Sequence, residues 1–362
     1  MLNFRPDQYA DLLAEKQSRL SEMLAPFDAP PVEVFASPVD GYRMRAEFRV
    51  WHEGDDLFYA MFDPADRKTP LRVDASPIAS ERIQAAMPRL REALLENDTL
   101  RRKLFQAEFL STLSDQLLIT LIYHRPLDED WDEHARHLEA TLNAHIVGRA
   151  RKQKVVLSQD HVDETLPLAQ GDYQYRQYEQ SFTQPNARVN CAMVNWACHQ
   201  ARNSVGDLLE LYCGNGNFTF PLAREFEHVL ATEVAKTSIR AAEFGRDANR
   251  VDNLAIARLA AEEVSEALAG AREFRRLQAL ARPLSEYRFT AVFVDPPRAG
   301  LDAATRELVG SFDRVLYISC NPETLVRDLG TLAHSHNVKA AALFDQFPYT
   351  DHMEAGVVLQ RR

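Results

Sequence analysis

The chain has 362 residues, with 42 Lys plus Arg against 53 Asp plus Glu, a formal net charge of −11 and an isoelectric point near 5.5. That length suggests two domains with chain enough for real cores, and an apolar fraction of 46% beside 26% charged residues excludes disordered and fibrous classes. No apolar run approaches the roughly 18 residues a membrane helix needs, and the acidic balance argues against a non-specific nucleic-acid binder.

In chain order, Pro6–Met23 reads as an amphipathic helix, with Tyr9, Leu12, Leu13, Leu20 and Met23 at near-helical spacing. The opening segment turns polar within a few residues and has no apolar signal core. Tyr42–Trp51 alternates as a half-buried strand whose polar face carries Arg43, Arg45, Glu47 and Arg49. After the Gly54-Asp55-Asp56 turn, Leu57–Phe62 completes a hairpin. Pro77–Leu104 reads as helical and ends in the basic Arg101-Arg102-Lys103; Leu117–Tyr123 is a strand, Glu133–Ala144 a helix, and His145–Val156 strongly basic. Residues 1–178 thus form an α+β domain. From 179 to 362 strand and helix alternate: helix Ala192–Arg202, strand Asp207–Leu211, strand His228–Thr232, helix Thr237–Arg246, helix Ala260–Ala269, strand Phe289–Val294, helix Ala303–Gly310, strand Arg314–Ile318, helix Pro322–Ala333, then strands Val338–Asp345 and Ala355–Gln360. That order predicts a doubly wound, mostly parallel sheet.

Three strand ends carry motifs. Gly214-Asn215-Gly216 follows Leu208–Leu211, where glycines permit a tight turn and let backbone N–H groups approach a ligand. The third glycine of the dinucleotide fingerprint is replaced by Thr219, which counts against an NAD-dependent oxidoreductase. Nineteen residues after Gly214, Glu233 ends the next strand, where a carboxylate can accept from both hydroxyls of a ribose. Asp295-Pro296-Pro297-Arg298 sets an acid in a stiff loop at the same edge. Ser319-Cys320-Asn321-Pro322 places a thiol just before a helix start, a setting that can depress its pKa. Cys191 and Cys198, seven apart, share a helical face, and Cys213 lies in the glycine turn. The four cysteines are too few and too clustered for a disulfide framework, their spacing suggests neither zinc nor an iron–sulfur cluster, and a reducing cytoplasm is expected. His352 and Glu354 have strand spacing and share a face in that reading. Singly, each motif also fits a plain turn, a rigid loop, a core cysteine or a solvated hairpin.

Together they are more specific. The order Gln184-Pro185-Asn186, Glu210-Leu211-Tyr212-Cys213-Gly214-Asn215-Gly216-Asn217-Phe218, Glu233, Asp295-Pro296-Pro297-Arg298, Ser319-Cys320-Asn321-Pro322 and His352-Met353-Glu354 resembles the RNA 5-methyluridine methyltransferases, and nearly the whole chain, including Tyr42–Arg49 and Lys103–Gln106, looks like the bacterial tRNA branch of that family. The resemblance implies a Rossmann-like class I fold that binds S-adenosyl-L-methionine (SAM) through Gln184, Tyr212, Asn217, Glu233 and Asp295, with an N-terminal RNA-binding domain. It implies Cys320 as nucleophile and Glu354 as base in methylation of carbon 5 of a tRNA T-loop uridine (uridine 54), with tRNA-like domains such as that of tmRNA as further substrates. Arg43, Arg45, Arg49 and Phe105 become candidates for phosphate contact and base stacking, each with an ordinary structural alternative. No cysteine precedes Cys191, so the four-cysteine iron–sulfur site of ribosomal relatives is not expected in the first half, and the chain starts directly at its amphipathic helix; both favour tRNA. A tRNA-folding factor in which methylation is secondary is the alternative. Basic charge concentrates at Arg43–Arg49, Arg101–Lys103 and Arg149–Lys154, so a net acidic chain still offers RNA local positive patches.

Overall fold

A computed structural model describes residues 4–63 and 65–362; the first three residues of the opening segment lie outside that description. Among the described residues, three sheets form. The sheet that carries the three motif-bearing strand ends has eight strands, in the spatial order Glu33–Phe35, His336–Phe344, Glu354–Arg361, Arg314–Ser319, Phe289–Val294, Asp207–Leu211, Val229–Thr232 and Leu254–Ala257. The last five named run parallel, while Glu354–Arg361 runs antiparallel to both of its neighbours. Both faces are covered, and the two-residue period of a strand explains how: Leu208, Val229 and Phe293 enter one core with helix Ala187–Ala201, whereas Leu209, Leu230 and Val292 enter another with helices Ala261–Leu268, Ala303–Val309 and Pro322–Leu332. This is the doubly wound, Rossmann-like arrangement expected of the C-terminal half, with residues from helix Tyr9–Leu24 joining the second core through Leu20 and Leu24.

The second sheet has seven strands, in the order Asp66–Val73, Asp56–Asp63, Arg45–Glu53, Leu104–Ser111, Leu117–Tyr123, His145–Ala150 and Gln153–Val156. Helices Glu81–Leu95 and Glu129–Leu142 cover one face; Ala46, Phe48 and Val50 point into that core, so Arg45, Glu47 and Arg49 point outward. A hairpin, His161–Leu168 with Gly171–Tyr178, makes the third sheet.

Packing does not follow the expected division at 178/179. Glu33–Phe35 pairs in parallel with His336–Phe344, and the hairpin residues Leu166, Leu168, Tyr173 and Tyr175 belong to the core beside helix Ala187–Ala201. Elements early in the chain therefore complete the later sheet. The helical reading of Pro77–Leu104 is also corrected. The chain folds there as helices Glu81–Leu95 and Asp98–Arg101, and Leu104 opens a central strand because strands on either side pair with the backbone of Leu104–Ser111. No described helix is long and apolar enough to cross a membrane.

Candidate active site

A cleft of about 900 Å³ opens where the parallel strands end. Gln184, Tyr212, Asn217, Glu233, Asp295, Cys320 and Glu354 all line it, together with Arg43, Arg45, Arg298, Phe347 and His352. Seven residues spread over 170 positions of sequence are thus one constellation, at the edge where ligands of open α/β sheets bind.

The glycine turn is built by two different needs. Gly214 has φ of +56° and nothing within 4 Å of where a Cβ would stand, so the cleft is open over it. Gly216 has φ of +89°, and a Cβ there would meet the Phe220 ring at 2.2 Å, so this glycine serves packing as well as turn geometry. Glu233 is held by backbone donors: Gly214 N–H reaches Oε2 at 3.1 Å, and the N–H groups of Val234 and Ala235 reach Oε1 at 2.8 and 2.7 Å. Its carboxylate is fixed between turn and strand end, with about one acceptor site, on Oε2, left over for a ligand's hydroxyl. Asn217 exchanges two amide hydrogen bonds with Asn190, at 2.8 and 2.7 Å, and Gln184 makes no side-chain hydrogen bond within the described residues.

Cys320 and Glu354 meet through strand register. Ser319 pairs with Ala355 in the antiparallel ladder, so Cys320 and Glu354, one residue further along each strand, come opposite one another. The loop Asp295–Gly300 is tied to the same place: the Arg298 carbonyl accepts from Asn321 Nδ2 at 3.1 Å and Thr324 Oγ1 at 3.3 Å. Asn321 caps helix Pro322–Leu332, accepting from Glu323 N–H. Below, the fully buried carboxylate of Asp328 accepts from Tyr317 Oη at 2.7 Å, Leu301 N–H at 2.9 Å and Arg306 at 3.1 Å, locking strand, loop and helix together. His352 lies ahead of the strand that Glu354 begins, so their expected strand-like relation does not form; its ring instead lies against Arg298, at 3.1 Å, and Phe347.

Electrostatics corrects one expectation. The Cys320 thiol is not depressed; burial, then the neighbouring acids Glu354 and Asp295, push it up to about 11 against the partial relief of Arg298. Burial likewise raises Asp295, and raises Glu354 well above the ordinary carboxylate range with Asp295 adding to it. Glu210, on strand Asp207–Leu211, is pushed up to about 8 by burial, with the Thr219 hydroxyl relieving it and Asp295 adding to it. A thiol near 11 is ionised to about one part in 10⁴ at pH 7, so alkylation of Cys320 by iodoacetamide should be slow there and rise about tenfold per pH unit up to pH 10. SAM should speed that alkylation at fixed pH, whereas S-adenosylhomocysteine, with an uncharged sulfur, should not. Mass spectrometry of the Cys320 peptide reads the rate.

Of the four RNA-contact candidates, only Arg43 and Arg45 line the cleft, and Arg45 is engaged internally. Its guanidinium donates to the carbonyls of Glu179 and of Ser181, the latter at 2.9 Å. Arg49 lies on the outer face of the seven-stranded sheet, 3.4 Å above the Phe105 ring, which itself faces His124 at 4.0 Å; sequence patterning gave no sign of that histidine. Half of the basic patch Arg149–Lys154 is consumed: Arg149 Nε reaches both oxygens of Glu179, at 3.1 and 3.0 Å, and Lys154 reaches Glu179 at 2.9 Å, whereas Arg151 and Lys152 stay exposed. Asn190 and Asp328 carry no signal of their own in the sequence, whereas Glu210 opens the motif Glu210–Phe218 without a role assigned to it.

The donor set suits SAM. Four acids, Glu164, Glu233, Asp295 and Glu354, line the cleft beside three arginines, and the buried Glu210 interacts with Asp295 from strand Asp207–Leu211; such a surplus of carboxyl groups complements a ligand carrying a sulfonium and an ammonium. It does not resemble a metal site. Among the described residues one trio, Asp207, Glu227 and His228, is close enough to hold an ion, but it sits at the opposite end of the strands and is engaged by Arg282 and Arg288. All four cysteines are free.

Comparison with known proteins agrees with the geometry. A family model described as tRNA (Uracil-5-)-methyltransferase matches residues 8–362. A tRNA/tmRNA (uracil-C(5))-methyltransferase of Pectobacterium carotovorum subsp. carotovorum is 54% identical over 361 residues, 98% of each chain. One of the same name from Vibrio parahaemolyticus is 52% identical over 366 residues, 100% of this chain and 99% of that one. Among solved structures, a tRNA (uracil-54, C5)-methyltransferase of Pyrococcus abyssi in complex with S-adenosyl-L-homocysteine shares the fold with a TM-score of 0.74 at 21% identity, over 97% of this chain and 83% of that one. The match over nearly the whole chain, on a fold whose strand-end cleft brings Cys320 beside the buried Glu354, shows that the chain belongs to the tRNA (uracil-5-)-methyltransferase family.

Proposed function

We propose that this protein methylates carbon 5 of a T-loop uridine in tRNA, at uridine 54, through a covalent adduct between Cys320 and carbon 6 of the base. The observation that carries the reading is the register that sets Cys320 opposite Glu354 in the wall of the acid-lined cleft. Gln184, Tyr212, Asn217, Glu233 and Asp295 would hold SAM. Bound there, SAM supplies an electrophilic methyl group and a positive charge beside the acids. Near such a charge, the Cys320 thiol and the Glu354 carboxyl both ionise more readily.

The chemistry requires both residues. Carbon 5 of uracil is too weak a nucleophile alone; addition of the Cys320 thiolate to carbon 6 converts the ring to an enolate and makes carbon 5 nucleophilic. Once carbon 5 bears its methyl, Glu354 takes the remaining proton there, the C–H electron pair restores the 5,6 double bond, and the sulfur leaves with its own pair. A uridine reaches Cys320 only if it leaves its stack. Support for the seven-stranded sheet as the RNA-binding domain comes from Arg49 and Phe105 on its outer face and Arg43 at the cleft. The names of the relatives extend the substrate reading to tmRNA. A cytoplasmic site fits the four free thiols and the substrate.

Incubation with labelled SAM and an isolated T-arm hairpin, followed by mapping of the modified base, tests this. The expected product is 5-methyluridine at the T-loop position; any other product overturns the reading.

A further inference from the structure

The connection Asp345–Met353, between strands His336–Phe344 and Glu354–Arg361, delivers Glu354 to the cleft and places Phe347 and His352 on its wall. Its underside meets helix Tyr9–Leu24. Lys16, in the middle of that helix, is only 6% exposed, and its ammonium donates to Asp345 Oδ1 at 2.7 Å and to the Phe347 carbonyl at 2.8 Å. Asp345 is buried too, and the Tyr9 hydroxyl of the same helix lies beside its carboxylate.

Stability alone does not call for this pair. Both charges lose their hydration, and mutual attraction offsets that loss only in part, so apolar side chains of like volume would fill the space as well. Apolar packing would not, however, fix the backbone. The Phe347 carbonyl is a node: besides Lys16 it accepts from the N–H and the hydroxyl of Thr350, both at 3.2 Å, and so closes the turn that precedes His352 and Glu354. Neighbouring ties reach the start of the connection, where Asp345 N–H donates to the Phe35 carbonyl at 3.0 Å and Asn186 N–H to Gln346 Oε1 at 3.1 Å, and Tyr349 Oη reaches the Val39 carbonyl at 2.5 Å. Within the connection, Lys16 is the side chain from outside that grips the turn itself.

We infer that Lys16 is a positioning residue for the last step of methylation: through Asp345 and the Phe347 carbonyl it sets the path along which the connection presents Glu354 to the carbon 5 proton. The inference rests on Glu354 as the base. Its consequence is selective, because thiolate addition and SAM binding use residues on other loops.

The test is the double variant Lys16→Met with Asp345→Leu, which removes both buried charges together and leaves neither stranded. Thermal unfolding should stay within a few degrees of wild type, SAM affinity by equilibrium titration within twofold, and turnover should fall at least tenfold. A denaturant-resistant RNA–protein band should strengthen severalfold, because adduct forms but is resolved slowly. Turnover within twofold of wild type overturns the inference, as does a parallel loss of SAM affinity and turnover with no added band. Should the double variant not fold, Lys16→Met with Asp345→Asn, which also removes both charges and changes the shape at Asp345 less, is read by the same criteria. The Glu354→Gln variant separates the two claims. A band with Glu354→Gln and none with the Lys16 variants overturns the role of Lys16 alone; no band with Glu354→Gln overturns the base, and this inference with it.

Discussion

Replacing Cys320 with alanine is expected to lower methylation at least about 10⁴-fold while SAM affinity, read by equilibrium titration, stays within a factor of two. The size follows from the chemistry: without a sulfur to add at carbon 6, carbon 5 has no electron density to offer, and no other thiol takes over. Cys213, the other cysteine that lines the cleft, is buried in the glycine turn and its own thiol is pushed well above the ordinary range by that burial. Retained turnover in the alanine variant would remove the covalent mechanism. Measuring tRNA folding with the same variant bears on the alternative role, since a folding activity that survives the loss of Cys320 is independent of methyl transfer.

The second large effect belongs to Glu354. Glu354→Gln keeps the shape but not the proton acceptor, so turnover should drop about 10²- to 10⁴-fold, the range for loss of a positioned general base. Its qualitative signature is stronger than its size. Addition and methylation proceed, elimination stalls, and a covalent RNA–protein species survives denaturation as a shifted band. The pH dependence has a definite sign. Burial and Asp295 favour the protonated form of Glu354, so the basic form gains as pH rises, and the resolution of adduct in the wild type should quicken from mildly acid to mildly alkaline pH. A resolution rate that falls over that interval, or full turnover by Glu354→Gln, would exclude the carboxylate as base.

What could be read from the sequence divides along a physical line. Strands Asp207–Leu211 and Phe289–Val294 are bounded correctly because each holds a short, mostly apolar run closed by turn residues. Site residues were legible for a related reason: Gly214, Asp295 and Cys320 sit where a strand gives way to a turn, so their setting is local. Strand Leu104–Ser111 was missed because its mixture of Gln106, Ala107 and Glu108 has no clean period, and its conformation is imposed by the strands on either side. Glu33–Phe35, only three residues long, carries no signal of its own. The supports of the site were hidden in the same way. Lys16 meets Asp345 across 329 positions, and Asn190 meets Asn217 across helix and turn; such partners are chosen by the finished fold. Local sequence likewise set the thiol's expected depression, whereas its actual rise comes from acids that tertiary packing brings beside it.

The position of strand Glu354–Arg361 has a kinetic consequence. It is the sole bridge between the pair Glu33–Phe35 and His336–Phe344 and the five parallel strands, yet it is synthesised after all of them. Until it docks, Arg314–Ser319 presents a bare apolar ladder edge, the kind of surface that pairs with other chains. Its pairing with both neighbours waits for the end of synthesis, so the interval before it docks is the moment of greatest exposure to aggregation. The same event brings the acid beside the thiol, so a nascent chain holds Cys320 without Glu354 opposite it until the sheet is closed.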